Sequence, residues 1–557
     1  MGTSARPRVE PLSTFSIDVD TASYANVRRM LNEGHLPPRG VVRIEELVNY
    51  FDYAYPPPTD GRPFAVSTEI GPAPWKREHR LVRIGLRARD VQRGARAASN
   101  LVFLLDVSGS MEPSDKLPLV RDAMKVLVRQ LDERDRVSIV VYAGESGVVL
   151  APTSGGEQSA ILAAIDRLQA GGSTNGASGI RLAYQLARGN RIPGGINRVI
   201  LATDGDFNVG TTDRDELVSL VRDQAKSGVF LTVLGVGIEN LKDSQLEQLA
   251  DRGNGSYAYL DSAAEARKVL SDELMGTLVT VAKDVKIQVE WNPAWVEAYR
   301  LVGYENRKLD KQDFNDDRKD AGEIGAGHRV TALYEVVPRG LPAPSGGVDP
   351  LRYQKAPEPA VAAGGVSREM LTVKLRWKEP DGDESTKLEV PVIDSAAGLA
   401  ATSDDFRFAA SVAGFGMLLR DSAYEAGATY DTVASLAEQS VGDDDPHGRR
   451  AELVGLVRRA GELASALAAA RGNATAGPPT VRSADWPAAQ RVVAWVLEKH
   501  TDEDNPLNRN ERAYGTKPPQ ELSPGQVGVV ATGPAQVTFY QYPRAGAPLR
   551  TFSIRVQ

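Results

Sequence analysis

Cysteine is absent from the 557 residues, which removes disulfides, thiolate metal sites and thiol nucleophiles together. An oxidising compartment stays open, because cores of this size need no disulfide staple. The five histidines, His35, His79, His328, His447 and His500, are scattered without ligand spacing, and neither an HExxH motif nor a P-loop occurs. The nearest approach to a GxSxG nucleophile elbow, Gly171-Gly172-Ser173-Thr174-Asn175, fails at its last position. No stretch reaches the roughly 20 apolar residues that cross a bilayer. Positive charge is not in excess either: 66 Lys and Arg face 73 Asp and Glu, for a formal charge of -7, and no basic run is interleaved with aromatics. Nucleic acid is therefore not an expected partner. The opening MGTSARPRVEPLS lacks the apolar core of a signal peptide, and its first four residues read equally as cloning sequence in place of a removed export signal. The chain as given is expected to be soluble.

What is present is ordinary globular material, 42% hydrophobic and 25% charged, long enough for about three or four structural units. Between about Asn100 and Leu274, short apolar runs alternate with segments of helical period, the pattern of a doubly wound α/β sheet. The expected strands are Leu101 to Asp106, Val137 to Ala143, Gly147 to Ala151, Val199 to Asp204, Phe230 to Gly235 and Ser256 to Leu260. Amphipathic helices are expected over Leu117 to Leu131, Gln158 to Leu168, Gly176 to Arg188, Asp215 to Lys226 and Ser244 to Ala250. Only Gly144-Glu145-Ser146 separates the second and third strands, too few residues for a crossover, so that pair should be an antiparallel hairpin at the sheet edge.

Segments of two-residue period flank this block: Phe64 to Ile70, Arg80 to Arg87, Val285 to Trp291, Arg329 to Val337 and Leu371 to Trp377. The simplest arrangement is a β-sandwich with the α/β domain inserted into it. Pro342 to Gly365 reads as a long loop, Asp404 to Arg471 as a small helical unit, and the portion after Gly477-Pro478-Pro479 as one helix, Pro487 to Lys499, followed by short strands such as Gln536 to Tyr542. The expected organisation is a helical segment over 1–63, a sandwich from 64–99 and 280–398, an α/β domain over 100–275, a helical unit over 399–471 and a C-terminal region over 472–557.

Asp106-Val107-Ser108-Gly109-Ser110 sets a carboxylate at the end of a buried strand and two hydroxyls on the turn beyond it. Asp204 ends another strand in the same way, and Thr174 lies in a Gly-rich loop before a helix. In an open α/β sheet the ligand crevice forms outside the carboxyl ends of the strands where the winding reverses, so both aspartates should face one crevice. Two carboxylates and three hydroxyls make a hard-oxygen set suited to Mg²⁺, with Mn²⁺ or Ca²⁺ as competitors and zinc disfavoured.

These residues resemble the metal-ion-dependent adhesion site (MIDAS) of von Willebrand factor type A (VWA) domains, whose pattern is DxSxS with a distant Thr and a distant Asp. The resemblance implies that Ser108 and Ser110 ligate the ion directly, that Thr174 does so in the ligand-bound state, and that Asp106 and Asp204 act directly or through water. It also implies a protein ligand that offers an acidic side chain to the ion. Further segments, STFSIDVDTASYANVRRML, WNPAWVEAYRLVGYENR, DAGEIGAGHRVTALYEVVP and DDFRFAASVAGFGMLLRDS, resemble bacterial YfbK-like VWA proteins up to about Arg471. That likeness implies an envelope lipoprotein, although the cysteine such an anchor needs is missing; a cell-envelope or extracellular location is expected, with the cytoplasm left open.

The expectation is a non-enzymatic adhesion or scaffold protein. One alternative is a self-assembling surface protein in which the metal serves rigidity. Another is a haloacid-dehalogenase-like phosphatase using Asp18 and Asp20; the simpler reading of that pair caps the helix Ala22 to Leu31 and binds surrounding backbone. The acidic clusters Asp313 to Asp317 and Asp443 to Asp445 lack the Gly and terminal Glu of an EF-hand and read as solvated turns.

Overall fold

A computed structural model describes residues 4–17, 20–91, 97–143, 146–172, 176–205, 214–237, 243–273, 279–317, 319, 321–342, 367–380, 382–424, 427–443, 445–474, 480–481, 527–533, 536–541 and 550–556. Thr174, Asp18, the loop from 343 and the helix expected at Pro487 to Lys499 lie outside them. The chain divides into two compact units, Met1–Gly461 and Glu462–Gln557.

In chain order the first unit begins with β1 (Leu12–Ser16), α1 (Ala22–Asn32), α2 (Ile44–Asn49), β2 (Phe64–Ala73) and β3 (Lys76–Ala88). The α/β module follows as β4 (Ser99–Asp106), α3 (Leu117–Val128), β5 (Arg136–Tyr142), β6 (Ser146–Ser154), α4 (Gln158–Asp166), α5 (Gly176–Gly189), β7 (Ile196–Thr203), α6 (Arg214–Lys226), β8 (Val229–Val236), α7 (Asp243–Arg252), β9 (Tyr257–Leu260) and α8 (Ala263–Arg267). Its six strands lie in the order β6-β5-β4-β7-β8-β9. All pairs are parallel except β5–β6, which is antiparallel as the three-residue connection requires.

The apolar runs form strands because both faces of the sheet are covered. Leu101, Phe103 and Leu105 of β4 join a core with Leu117, Ala123 and Met124 of α3 and Ile161 and Ile165 of α4. Val102 and Leu104 point the other way, into a core with Ile180 and Tyr184 of α5, Val221 of α6 and Leu246 of α7. Leaving β4, the chain winds one way to β5 and returns on the other side to β7. The reversal falls between β4 and β7, which pair directly, Leu105 opposite Ala202.

The sandwich is completed by β10 (Thr280–Trp291), β11 (Val296–Leu301), β12 (Lys308–Leu309), β13 (Ile324–Gly325), β14 (Arg329–Pro338), β15 (Leu371–Lys378) and β16 (Ser385–Val392). One sheet runs β12-β1-β10-β15-β16 with β13 on β10, the other β11-β14-β3-β2. Phe15, Ile287 and Trp377 of the first share a core with Phe64, Ile84 and Tyr334 of the second. The α/β module is thus inserted between β3 and β10, which belong to opposite sheets. Residues 1–63, expected to be helical, also contribute β1: LSTFS has too little apolar alternation to announce itself, and pairing with β10 makes it a strand.

After the sandwich, the helix Asp404–Leu419 is capped by the Ser403 hydroxyl, which accepts from Phe406 N at 3.1 Å, and it buries Phe406, Phe408, Val412 and Phe415. The helix Arg449–Ala474 runs through the boundary expected at 471/472. In the second unit, Val527–Gly533, Gln536–Gln541 and Arg550–Val556 form an antiparallel meander, joined in parallel by Thr480–Val481.

Helix α1 holds the inserted module to its host. The buried Arg28 donates from Nε to Asp261 Oδ2 at 2.7 Å, from Nη2 to Asp261 Oδ1 at 2.5 Å and Glu265 Oε2 at 2.7 Å, and from Nη1 to the Tyr50 hydroxyl at 2.9 Å. Asp20 does not cap α1, whose start carries no side-chain cap bond. Its Oδ1 accepts instead from Tyr257 N on the edge strand β9 at 2.8 Å, and its Oδ2 from Arg307 at 3.2 Å. The capping expectation fails because this carboxylate seals a sheet edge far away in sequence. Removing Arg28 strands two buried carboxylates, so Arg28→Ala should cost about 3–5 kcal/mol, whereas Arg181→Ala, breaking an exposed pair with Glu216, should cost under about 1 kcal/mol; urea midpoints of the two variants check this.

Candidate functional site

β4 ends at Asp106, and Val107 N still donates to Tyr142 O at 3.0 Å before the chain turns into the short 3₁₀ segment Gly109–Met111. That turn folds the two hydroxyls back over the strand end. Asp106 Oδ1 accepts from Ser108 N at 2.9 Å and from Ser108 Oγ at 2.6 Å, and Ser108 Oγ lies 3.1 Å from Ser110 Oγ. Asp106 Oδ2 accepts from the Tyr142 hydroxyl at 3.1 Å and from Thr203 Oγ1 at 3.3 Å. Asp106 and Ser108 are buried, and Ser110 is exposed at the mouth. Burial raises the Asp106 pKa, the two bonds from Ser108 oppose the rise, and the charge of Asp204 adds to it.

Asp204 follows the last residue of β7 and is also buried. Its Oδ2 accepts from Lys116 Nζ at 3.0 Å, while its Oδ1 is buried with no hydrogen-bond donor among the described residues. A carboxylate oxygen in that position is unfavourable unless something electropositive meets it. Lys116 reaches Asp204 across Gly237, just beyond the end of β8. Gly237 has φ +77°, and a Cβ there would run into the lysine's Cδ and Cε. The third loop is tied in through its backbone: Gly171 N donates to Val107 O at 2.7 Å, and Gly109 N to Gly172 O at 3.1 Å.

The crevice therefore brings together Asp106, Ser108, Ser110 and Asp204 at the carboxyl ends of two neighbouring strands; Thr174, two residues past Gly172, is outside the described residues. Among the described residues no group of three or more acidic or histidine side chains is set to hold an ion. What the crevice offers is two carboxylates, hydroxyls and an orphaned oxygen, a donor set that fits a hard divalent cation. Lys116, Tyr142 and Thr203 escape the sequence reading. Thr203 sits beside Asp204 in the strand, but nothing local marks Lys116 as the partner of a residue 88 positions away.

Comparison with known proteins bears out the resemblance to the YfbK-like VWA family. The von Willebrand factor type A domain family matches residues 100–273, a family described as "Uncharacterized protein YfbK, C-terminal" matches 276–463, and one described as von Willebrand factor matches 3–83. YfbK of Escherichia coli (strain K12) is 46% identical over 457 residues, which are 81% of this chain and 78% of that protein. The Synechocystis protein sll0103 is 30% identical over 187 residues, 34% of this chain and 43% of its own. Among solved structures, von Willebrand factor type A from Catenulispora acidiphila aligns with a TM-score of 0.38 at 17% identity, covering 70% of this chain and 89% of that one.

The close approach of Lys116 to Gly237 gives a test of the crevice's packing. Gly237→Ala should destabilise the protein by about 2–3 kcal/mol, and in a Lys116→Ala background the cost should fall to the left-handed strain alone, about 1 kcal/mol. A double-mutant cycle by chemical denaturation measures the difference.

Proposed function

We propose, for a chain that belongs to the YfbK family of von Willebrand factor type A proteins, that it is a non-enzymatic adhesion or scaffold protein gripping an acidic side chain of a protein partner at a MIDAS built from Asp106, Ser108, Ser110, Thr174 and Asp204. Domains of this type often mediate protein–protein interaction and often bind a divalent metal at this position. The observation that carries the reading here is Asp204 Oδ1, a buried carboxylate oxygen with no donor among the described residues, beside the Ser108 hydroxyl that the Asp106 carboxylate orients. A divalent ion, Mg²⁺ ahead of Mn²⁺ or Ca²⁺, would supply positive charge and an open coordination position for a partner's carboxylate oxygen.

The chain's own residues do the rest. Asp106 fixes the Ser108 hydroxyl from one side, and Tyr142 and Thr203 hold Asp106 from the other. Lys116 neutralises part of the Asp204 charge, which lowers cation affinity and makes an added negative group from outside more welcome. The phosphatase alternative is not adopted, because both Asp20 oxygens are engaged by Tyr257 N and Arg307. We place the protein at the cell envelope on the strength of the family; no helix among the described residues is long and apolar enough to cross a membrane.

Calorimetric titration with Mg²⁺ tests the reading. Asp106→Ala and Ser108→Ala should abolish binding while far-UV circular dichroism stays that of the parent, and unchanged affinity in Ser108→Ala would sink it. Lys116→Met, which removes a fixed positive charge from the crevice, should tighten Mg²⁺ binding by at least about tenfold.

A further inference from the structure

Where the sandwich and the start of the helix Arg449–Ala474 meet the module's sheet, away from the crevice, lies a cavity of about 740 Å³. Arg198, near the start of β7, and Thr232 of β8 line it, together with Lys268, Arg307, Glu323 and Arg329. The other arginines named are already paired: Arg307 with Asp20 and Asp251, Arg329 with Asp52. Arg198 has no ion-pair partner among the described residues. It is 6% exposed, its Nη1 donates to Thr232 Oγ1 at 2.9 Å, and its Nε is buried without an acceptor among them. The carboxylate whose charge it feels, Glu323, instead accepts from Thr280 Oγ1 at 3.2 Å.

A guanidinium buried on a strand without a hydrogen-bonded carboxylate is unfavourable, and an apolar side chain of similar length would fill the place at less cost. Burial brings the Arg198 pKa down to about 10, so the group keeps its charge at neutral pH. Its forked donors match a carboxylate or phosphate edge. The Thr232 hydroxyl, accepting from Arg198, retains its own proton to donate to the same oxygen.

We propose that this cavity is a binding site for a small anion bearing carboxylate or phosphate oxygens, received by Arg198 and Thr232. It is separate from the crevice at Asp106 and needs no metal. The test is calorimetry and thermal melting of the full chain in EDTA, with inorganic phosphate in one arm and succinate in the other, which distinguishes the two oxygen sources. One of the two should bind the parent saturably at a single site per chain and raise its melting temperature. Arg198→Met should melt at or above the parent without ligand and lose at least tenfold in affinity; Thr232→Val, a milder change, should also weaken binding; Ser108→Ala should bind as the parent does. Failure of both probes to bind the parent overturns the proposal, as does equal binding by the parent and Thr232→Val or Arg198→Met.

Discussion

Two carboxylates buried at the carboxyl ends of adjacent parallel strands are the constraint around which the α/β module is arranged. Asp106 and Asp204 stand where the winding of the sheet reverses, and the charge of Asp204 adds to the cost of ionising the buried Asp106. The protein answers with donors from three strand ends, the Ser108 turn after β4, Tyr142 of β5 and Thr203 of β7, and with Lys116 from the start of α3, which passes the glycine after β8. The small residues of the loops follow from this crowding. Gly171 and Gly109 exchange backbone bonds with the strand end and its facing loop, and Gly237 gives the lysine its passage.

How far this could be read from sequence depended on whether the cause was local. Continuous apolar runs such as LVFLLD marked the buried parallel strands, and a three-residue gap was enough to require the β5–β6 hairpin, because chain length alone forbids a crossover. Asp106, Ser108 and Asp204 were legible because strand-end carboxylates converge wherever the winding reverses. Strands β1, β11 and β16 were not, since their pairing is imposed by neighbours far along the chain, and β16 is half exposed with Pro391 in it. The same applies to Asp20, read as a helix cap and found sealing the edge strand of another domain, and to Lys116.

Insertion gives the two halves of the molecule different tasks. The sandwich has its own core, with Trp291, Tyr299 and Tyr334 packed together, while the crevice residues Asp106, Ser108, Ser110 and Asp204 all belong to the α/β module. Its tie to the module combines the apolar contact of Ala22 and Ala25 of α1 with the module's core and ion pairs, Arg28 with Asp261 and Glu265 and Arg307 with Asp251. Such buried pairs fix one relative orientation and contribute less to net stability than apolar packing of the same area would.

Because β3 and β10 belong to opposite sheets, the module is tethered at both ends to different layers of its host. The amino end of β4 is held where Ser99 N donates to Asp135 Oδ1 at 2.8 Å, and its other end carries Asp106. A pull applied at the crevice would therefore load β4 lengthwise, between β5 and β7, and its ladders would have to slip in shear rather than open one bond at a time, with the tension divided between the two layers of the sandwich.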